Sequence, residues 1–110
     1  MNQFHNPRHE EIAQRALDDN RLIDGENPES NELEDAVHWG NIYGELIRFK
    51  EQLLSQMRSA LPGLPGDAAS EVRSVDMAIV RQQMERYRSR QAFWEGRSKD
   101  LAGKRPGVAR

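Results

Sequence analysis

The segment Pro62-Gly63-Leu64-Pro65-Gly66 separates two long stretches that both carry apolar residues at helical spacing. Proline lacks the N–H a helix interior needs and clashes with the preceding turn, while glycine supplies the conformations helix ends require. A break of this kind between two helical patterns is the bend of a helical hairpin. The chain is therefore expected to be all-α, with a short N-terminal helix followed by a long antiparallel hairpin resembling a coiled coil.

The expected organisation has three parts. Residues 1–30 form a helical arm and loop, 31–102 the hairpin with its turn at 62–66, and 103–110 a flexible basic tail. In the arm, Asn6 stands directly before Pro7, and Glu10 and Glu11 fall in the early turns that the helix dipole favours for negative charge. This predicts a first helix over about 7–23, with Ile12, Ala13, Ala16, Leu17 and Ile23 as a narrow apolar stripe ended by Asp24-Gly25. The stretch 25–30, which contains Pro28, reads as a loop.

Asn31 followed by Glu34 has the form of a helix N-terminal cap, and the helical pattern then continues to Leu61. Side chains placed at about 100° per residue give two adjacent apolar stripes. One holds Leu33, Ala36, Val37, Gly40, Gly44, Ile47 and Leu54; the other holds Trp39, Ile42, Leu46, Phe49, Leu53 and Met57. The two cover about two-thirds of the circumference, whereas a helix packed on one partner shows a stripe somewhat over 100° wide. The second helix thus calls for two neighbours. The third helix is expected from Asp67, as its cap, to about Leu101. Its inward track is Val72, Val75, Ile79, Gln83, Arg86, Tyr87, Arg90, Phe93, Trp94 and Leu101, dry near the turn and mixed with arginine further on.

Charge is distributed unevenly along the chain. Residues 1–46 hold three arginines and eleven acidic residues, and residues 47–110 hold thirteen basic and seven acidic residues, giving −8 and +6. Folding the hairpin about its Pro-Gly turn sets Leu54 near Ser74, Gly44 near Met84 and Val37 near Gln91. It also brings Glu32, Glu34 and Asp35 against Arg90, Phe93, Trp94 and Arg97. Exposed ion pairs contribute only about 0–1 kcal/mol each, so they set register, and burial of Trp39, Phe49, Phe93 and Trp94 supplies the stability. A short arm does not cover the surplus stripe of a helix some 45 Å long, at about 1.5 Å per residue. A homodimer forming an elongated four-helix bundle is expected.

Chemistry-bearing motifs are few. The chain has no cysteine, hence no disulfide and no thiol nucleophile. His5 and His9 have metal-ligand spacing on a helix, but Pro7 lies between them and the third histidine, His38, is distant; no metal site, cofactor or catalytic group is expected. Gly40 and Gly44 form a G-x-x-x-G whose physical reading is close helix approach or a groove filled by a large side chain such as Met84, Tyr87 or Trp94. No apolar run approaches the roughly 20 residues of a bilayer span, and Met1–Arg8 carries no signal-type apolar segment. A cytoplasmic protein without membrane association is expected.

Two functional readings follow. The first is a non-enzymatic protein–protein interaction module, a small regulator or adaptor, that binds itself and a further protein through Trp39, Ile42, Leu46, Phe49 and Leu53. The alternative is nucleic-acid or anion binding by Gln83, Arg86, Arg90, Arg97 and Lys99. Residues 81–110 hold nine basic and three acidic residues interleaved with Tyr87, Phe93 and Trp94.

Overall fold

Two helices of equal length form the hairpin that the Pro-Gly break predicts. In the computed structural model, which describes residues 21–104, α1 spans Leu33–Ala60 and is followed by a 3₁₀ turn at Leu61–Gly63. The chain then forms a short helix α2 (Gly66–Glu71), a π-helical turn (Val72–Asp76) and α3 (Met77–Lys104). Both α1 and α3 contain 28 residues, about 42 Å at 1.5 Å per residue. Regular structure among the described residues is entirely helical, and none of these helices is long and apolar enough to cross a membrane.

Residues 7–20 of the expected first helix, like the tail 105–110, lie outside the described residues. Residues 21–23 are not helical, so that helix does not extend to Ile23. The cause is local. The backbone N–H of Glu26 donates to the Ile23 carbonyl at 2.9 Å, and the Ile23 N–H donates back to the Glu26 carboxylate at 3.0 Å. These two bonds close a tight turn that requires the left-handed conformation of Gly25, at φ +92°.

The expected caps are corrected as well. The residue preceding α1 is Glu32, which makes no side-chain cap bond. Ser30 does the work instead: its hydroxyl accepts the Glu32 N–H at 3.2 Å and donates to Asp35 Oδ2 at 2.7 Å. Asn31 is drawn away by an arginine of α3. At the other end, α2 starts at Gly66 after Pro65, so Asp67 lies inside the first turn and stabilises it by charge rather than as the cap. The third helix continues past Leu101 to Lys104.

The core is a seam with coiled-coil spacing. On α1 it contains Ala36, Tyr43, Ile47 and Leu54; on α3 it contains Met77, Val80, Met84, Tyr87 and Trp94. The α3 positions alternate by three and four residues, the repeat that keeps one face toward an antiparallel neighbour. The first expected stripe of α1 lies largely in this seam, although Val37 is exposed. Tyr43, which belongs to neither expected stripe, is fully buried.

Near the turn, the inward track of the third helix is shifted. Val75 is exposed, and Met77, Val80 and Met84 face the seam. The seam residues of α3 follow a 3–4 repeat from which straight 100° steps drift by about 20° per heptad, so toward the turn the apolar face moves away from the expected track; a π-helical turn stands just before Met77. Phe93 likewise points outward, at 38% exposure, while Trp94 is fully buried.

The register differs from a fold centred on Pro62–Gly66. Gly44 lies against Gln91 instead of Met84: a Cβ there would sit 2.8 Å from Gln91 Nε2, and that amide donates to the Gly40 carbonyl at 3.4 Å. Two causes combine. Full burial begins only at Met77, since Val72 of the π turn packs against the core in part and no residue of α2 or the π turn is buried. Side chains also lean toward their own helix N-terminus, so a long residue on α3 reaches toward the turn and meets α1 further along its sequence.

The two glycines therefore provide a groove that Gln91 fills beside Gly44, with Trp94 Cβ 3.9 Å from where a Gly40 Cβ would stand. Because the contact at Gly44 is with the tip of a flexible amide, alanine is tolerated by a swing of Gln91, and its better helix propensity, about 1 kcal/mol, offsets the lost bond. A leucine branch has no such escape. Thermal unfolding is expected to show Gly44→Ala near wild type and Gly44→Leu lowered by several degrees; equal melting of Gly44→Leu and wild type contradicts the packing described.

Candidate functional site

A buried carboxylate lies where the loop before α1 crosses the hairpin. The Glu26 side chain is 0% exposed, and five donors converge on it. Its Oε1 accepts the Ile23 N–H and the Tyr43 hydroxyl. Its Oε2 accepts Arg90 Nε at 3.1 Å, Arg90 Nη2 at 2.8 Å and Trp94 Nε1 at 2.7 Å. Tyr43 is presented by α1, and Arg90 and Trp94, one turn apart, by α3. The loop reaches all three because the Ile23–Glu26 turn folds its carboxylate inward.

Electrostatics explain why such a group is tolerated. Burial alone raises a carboxylate pKa, but the hydrogen bonds from Tyr43, Ile23, Trp94 and Arg90 outweigh it and hold Glu26 below the ordinary carboxylate range. Burial, followed by the bond to Glu26, pushes the Tyr43 hydroxyl well above the usual tyrosine value, which keeps it a proton donor. An ionised carboxylate offers about four lone-pair sites, and all are taken. The group is thus a locked anion with no lone pair left for acid–base work.

A second clamp, Arg97, follows about two turns beyond Arg90 along α3. Arg97 donates through Nε and Nη2 to the Ser30 carbonyl, at 3.3 and 3.1 Å, and through Nη2 to Asn31 Oδ1 at 2.7 Å. Between the clamps, Asn27 Oδ1 accepts the Glu29 N–H and the Ser30 N–H donates to the Asn27 carbonyl, a turn with Pro28 at its second position. The acidic segment does meet the basic end of the third helix, through loop residues Glu26 and Ser30–Asn31, while Asp35 accepts the Ser30 hydroxyl.

The candidate anion-binding residues are dispersed by this arrangement. Arg90 and Arg97 hold the loop, and Arg86 is buried with its guanidinium 4.9 Å from the Tyr87 ring centre. Gln83 and Arg86 line a groove of about 390 Å³ together with Leu46 and the loop residues Arg21–Asp24, whereas Lys99 stands exposed on α3. Nearby, burial and then the positive charge of Arg86 lower the Lys50 ammonium pKa.

The candidate apolar residues behave as a set. Trp39, Ile42, Leu46 and Leu53 are half-buried along α1, and Phe49 is 59% exposed between them. Trp39 supports the loop from beneath, its ring 4.0 Å from where a Gly25 Cβ would be. His38 packs edge-on against Trp39 at 5.0 Å and is exposed. His5 and His9 lie outside the described residues, and among the described residues no group of three or more His, Cys, Asp or Glu is placed to hold a metal.

Sequence reasoning missed Glu26 and Tyr43. The available signal was Arg90, a charged residue on an inward track: a buried cation needs a buried anion, and Glu26, between a turn glycine and a proline, is the acidic residue whose loop reaches it.

Two outcomes follow. Removing one partner leaves the other charge buried, so Arg90→Ala is expected to cost about 3–5 kcal/mol, read as a large fall in the denaturation midpoint; a loss below about 1 kcal/mol, as for exposed pairs, contradicts the geometry. A carboxylate with a depressed folded pKa contributes stability that is present above its unfolded value and lost as pH falls through the folded one. Wild-type stability is therefore expected to decline below about pH 4.5, near the free carboxylate value, and Glu26→Gln to show a shallower decline over the same window. Comparison with protein-family models, curated proteins and solved structures finds no match to this chain.

Proposed function

We propose that this chain is a non-enzymatic helical interaction module that self-associates through the apolar face of α1. The observation that carries this reading is Phe49, more than half exposed in a row with the half-buried Ile42, Leu46, Leu53 and Met57. Stable domains enclose their apolar faces between packed layers. The Cα extents are 62 × 31 × 14 Å, one helix deep along the shortest axis, and among the described residues no further helix lies over Phe49. A second copy supplies one: a two-fold arrangement makes the same stripe complementary to itself and builds a four-helix assembly from two hairpins.

The five residues proposed as the contact are Trp39, Ile42, Leu46, Phe49 and Leu53, with a regulatory or adaptor role in which this face meets itself or another protein's helix. The nucleic-acid reading receives less support. Of its five residues, Arg90 and Arg97 are engaged by the loop and Arg86 is buried, which leaves Gln83 and Lys99 as the more accessible polar contacts.

Sedimentation at micromolar concentration tests the proposal. The wild type is expected as a dimer and Phe49→Glu as a monomer with unchanged helicity. A monomeric wild type, or a dimer indifferent to Phe49→Glu, overturns self-association through this face.

A further inference from the structure

The groups around Glu26 have the composition of a receptor for a carboxylate. An arginine fork, a phenolic hydroxyl and an indole N–H, carried by two different helices, converge on one acceptor group that arrives from a flanking loop. The recognition extends beyond the carboxylate. Ile23 packs on the core, Gly25 takes a left-handed turn over the Trp39 ring, and Glu26 enters between Tyr43 and Trp94. Each contact demands a particular residue: an apolar side chain, a residue that accepts positive φ, and an acid.

We propose that Tyr43, Arg90 and Trp94, with Trp39 as floor, form a peptide-recognition pocket for the pattern apolar-x-Gly-Glu, filled in cis by Ile23–Glu26 and able to take the same loop from a second copy of the chain. The second copy is the occupant of choice because its loop carries every one of these determinants. Exchange conserves all five hydrogen bonds of the carboxylate, so it costs only the release of the connection to α1. That connection is short, exposed at Asn27, Glu29, Asn31 and Glu32, and held by the Arg97 clamp. In the closed state the linked loop competes at an effective concentration in the millimolar range, which keeps the pocket occupied until the loop is displaced or altered.

The test uses the full chain carrying Glu26→Ala, which empties the pocket of its carboxylate while leaving the donors in place. The probe is a synthetic peptide of residues Leu22–Asn31, followed by tryptophan fluorescence and thermal shift. Saturable binding to the variant is expected, at least about tenfold tighter than to wild type, and at least about tenfold weaker for the same peptide with Glu26→Gln, as the loss of charge-assisted bonds requires. Adding Arg90→Gln to the variant is expected to abolish binding. If Glu26→Ala alone loses helicity, the peptide is expected to restore it. Absence of binding or of restoration at millimolar peptide overturns the proposal, as does equal affinity for the acidic and amide peptides. The pocket shares only Trp39 with the α1 contact and its donors Tyr43, Arg90 and Trp94 lie outside it, so peptide binding is expected to survive Phe49→Glu, and the pocket and self-association through that face fail separately.

Discussion

A buried carboxylate has to be surrounded by donors or it is not ionised, and the arrangement of this chain around Glu26 follows from that requirement. Its side chain is wholly enclosed, and its oxygens are shared among a backbone amide, a phenol, an indole and a guanidinium. These donors come from the loop itself, from α1 and from α3. The contact thereby fixes three segments relative to one another, which apolar burial, being non-directional, does not do. Such a network specifies one arrangement because any other leaves a charge in the interior without partners.

The seam beneath it is made to admit large donors. Gly40 gives α1 a low profile opposite Trp94, and Gln91 uses the space above Gly44 to reach the Gly40 carbonyl. Closer to the turn, Ile47 and Leu54 with Met77, Val80 and Met84 make an ordinary apolar interface. The hairpin is therefore dry and hydrophobic at one end and hydrogen-bonded at the other. The loop binds at the polar end over Trp39, and the half-buried apolar row of α1, with Phe49 exposed, runs from there toward the turn.

Much of this architecture was legible in the sequence because it rests on local rules. Pro62–Gly66 marked the turn, Asp24-Gly25 marked the bend before the loop, and the wide apolar arc of α1 announced a face beyond the one its hairpin partner covers. The change of core character along the third helix was also visible in Arg86, Tyr87 and Arg90 within an apolar track. What escaped depends on long-range or non-ideal geometry. Met77 and Val80 rather than Val75 lie in the core because the seam of α3 follows a 3–4 repeat, from which straight 100° steps drift by about 20° per heptad, and the expected track is aligned on its far half. Tyr43 stands within about 20° of Ala36 and Leu54 at 100° per residue; it escaped because its hydroxyl marks it as polar until a buried acceptor such as Glu26 is known. Glu26 sat in a loop, where periodicity carries no information, and its partner is 64 residues away.

The central claim is that Glu26 and the α3 donors act as one unit. A double-mutant cycle with Glu26→Gln, Arg90→Gln and the pair, measured by equilibrium denaturation, tests it most directly. The account predicts strong non-additivity, with the second substitution costing little once the first is made and a coupling free energy of about 1–3 kcal/mol. Additive effects, within about 0.5 kcal/mol, would contradict it.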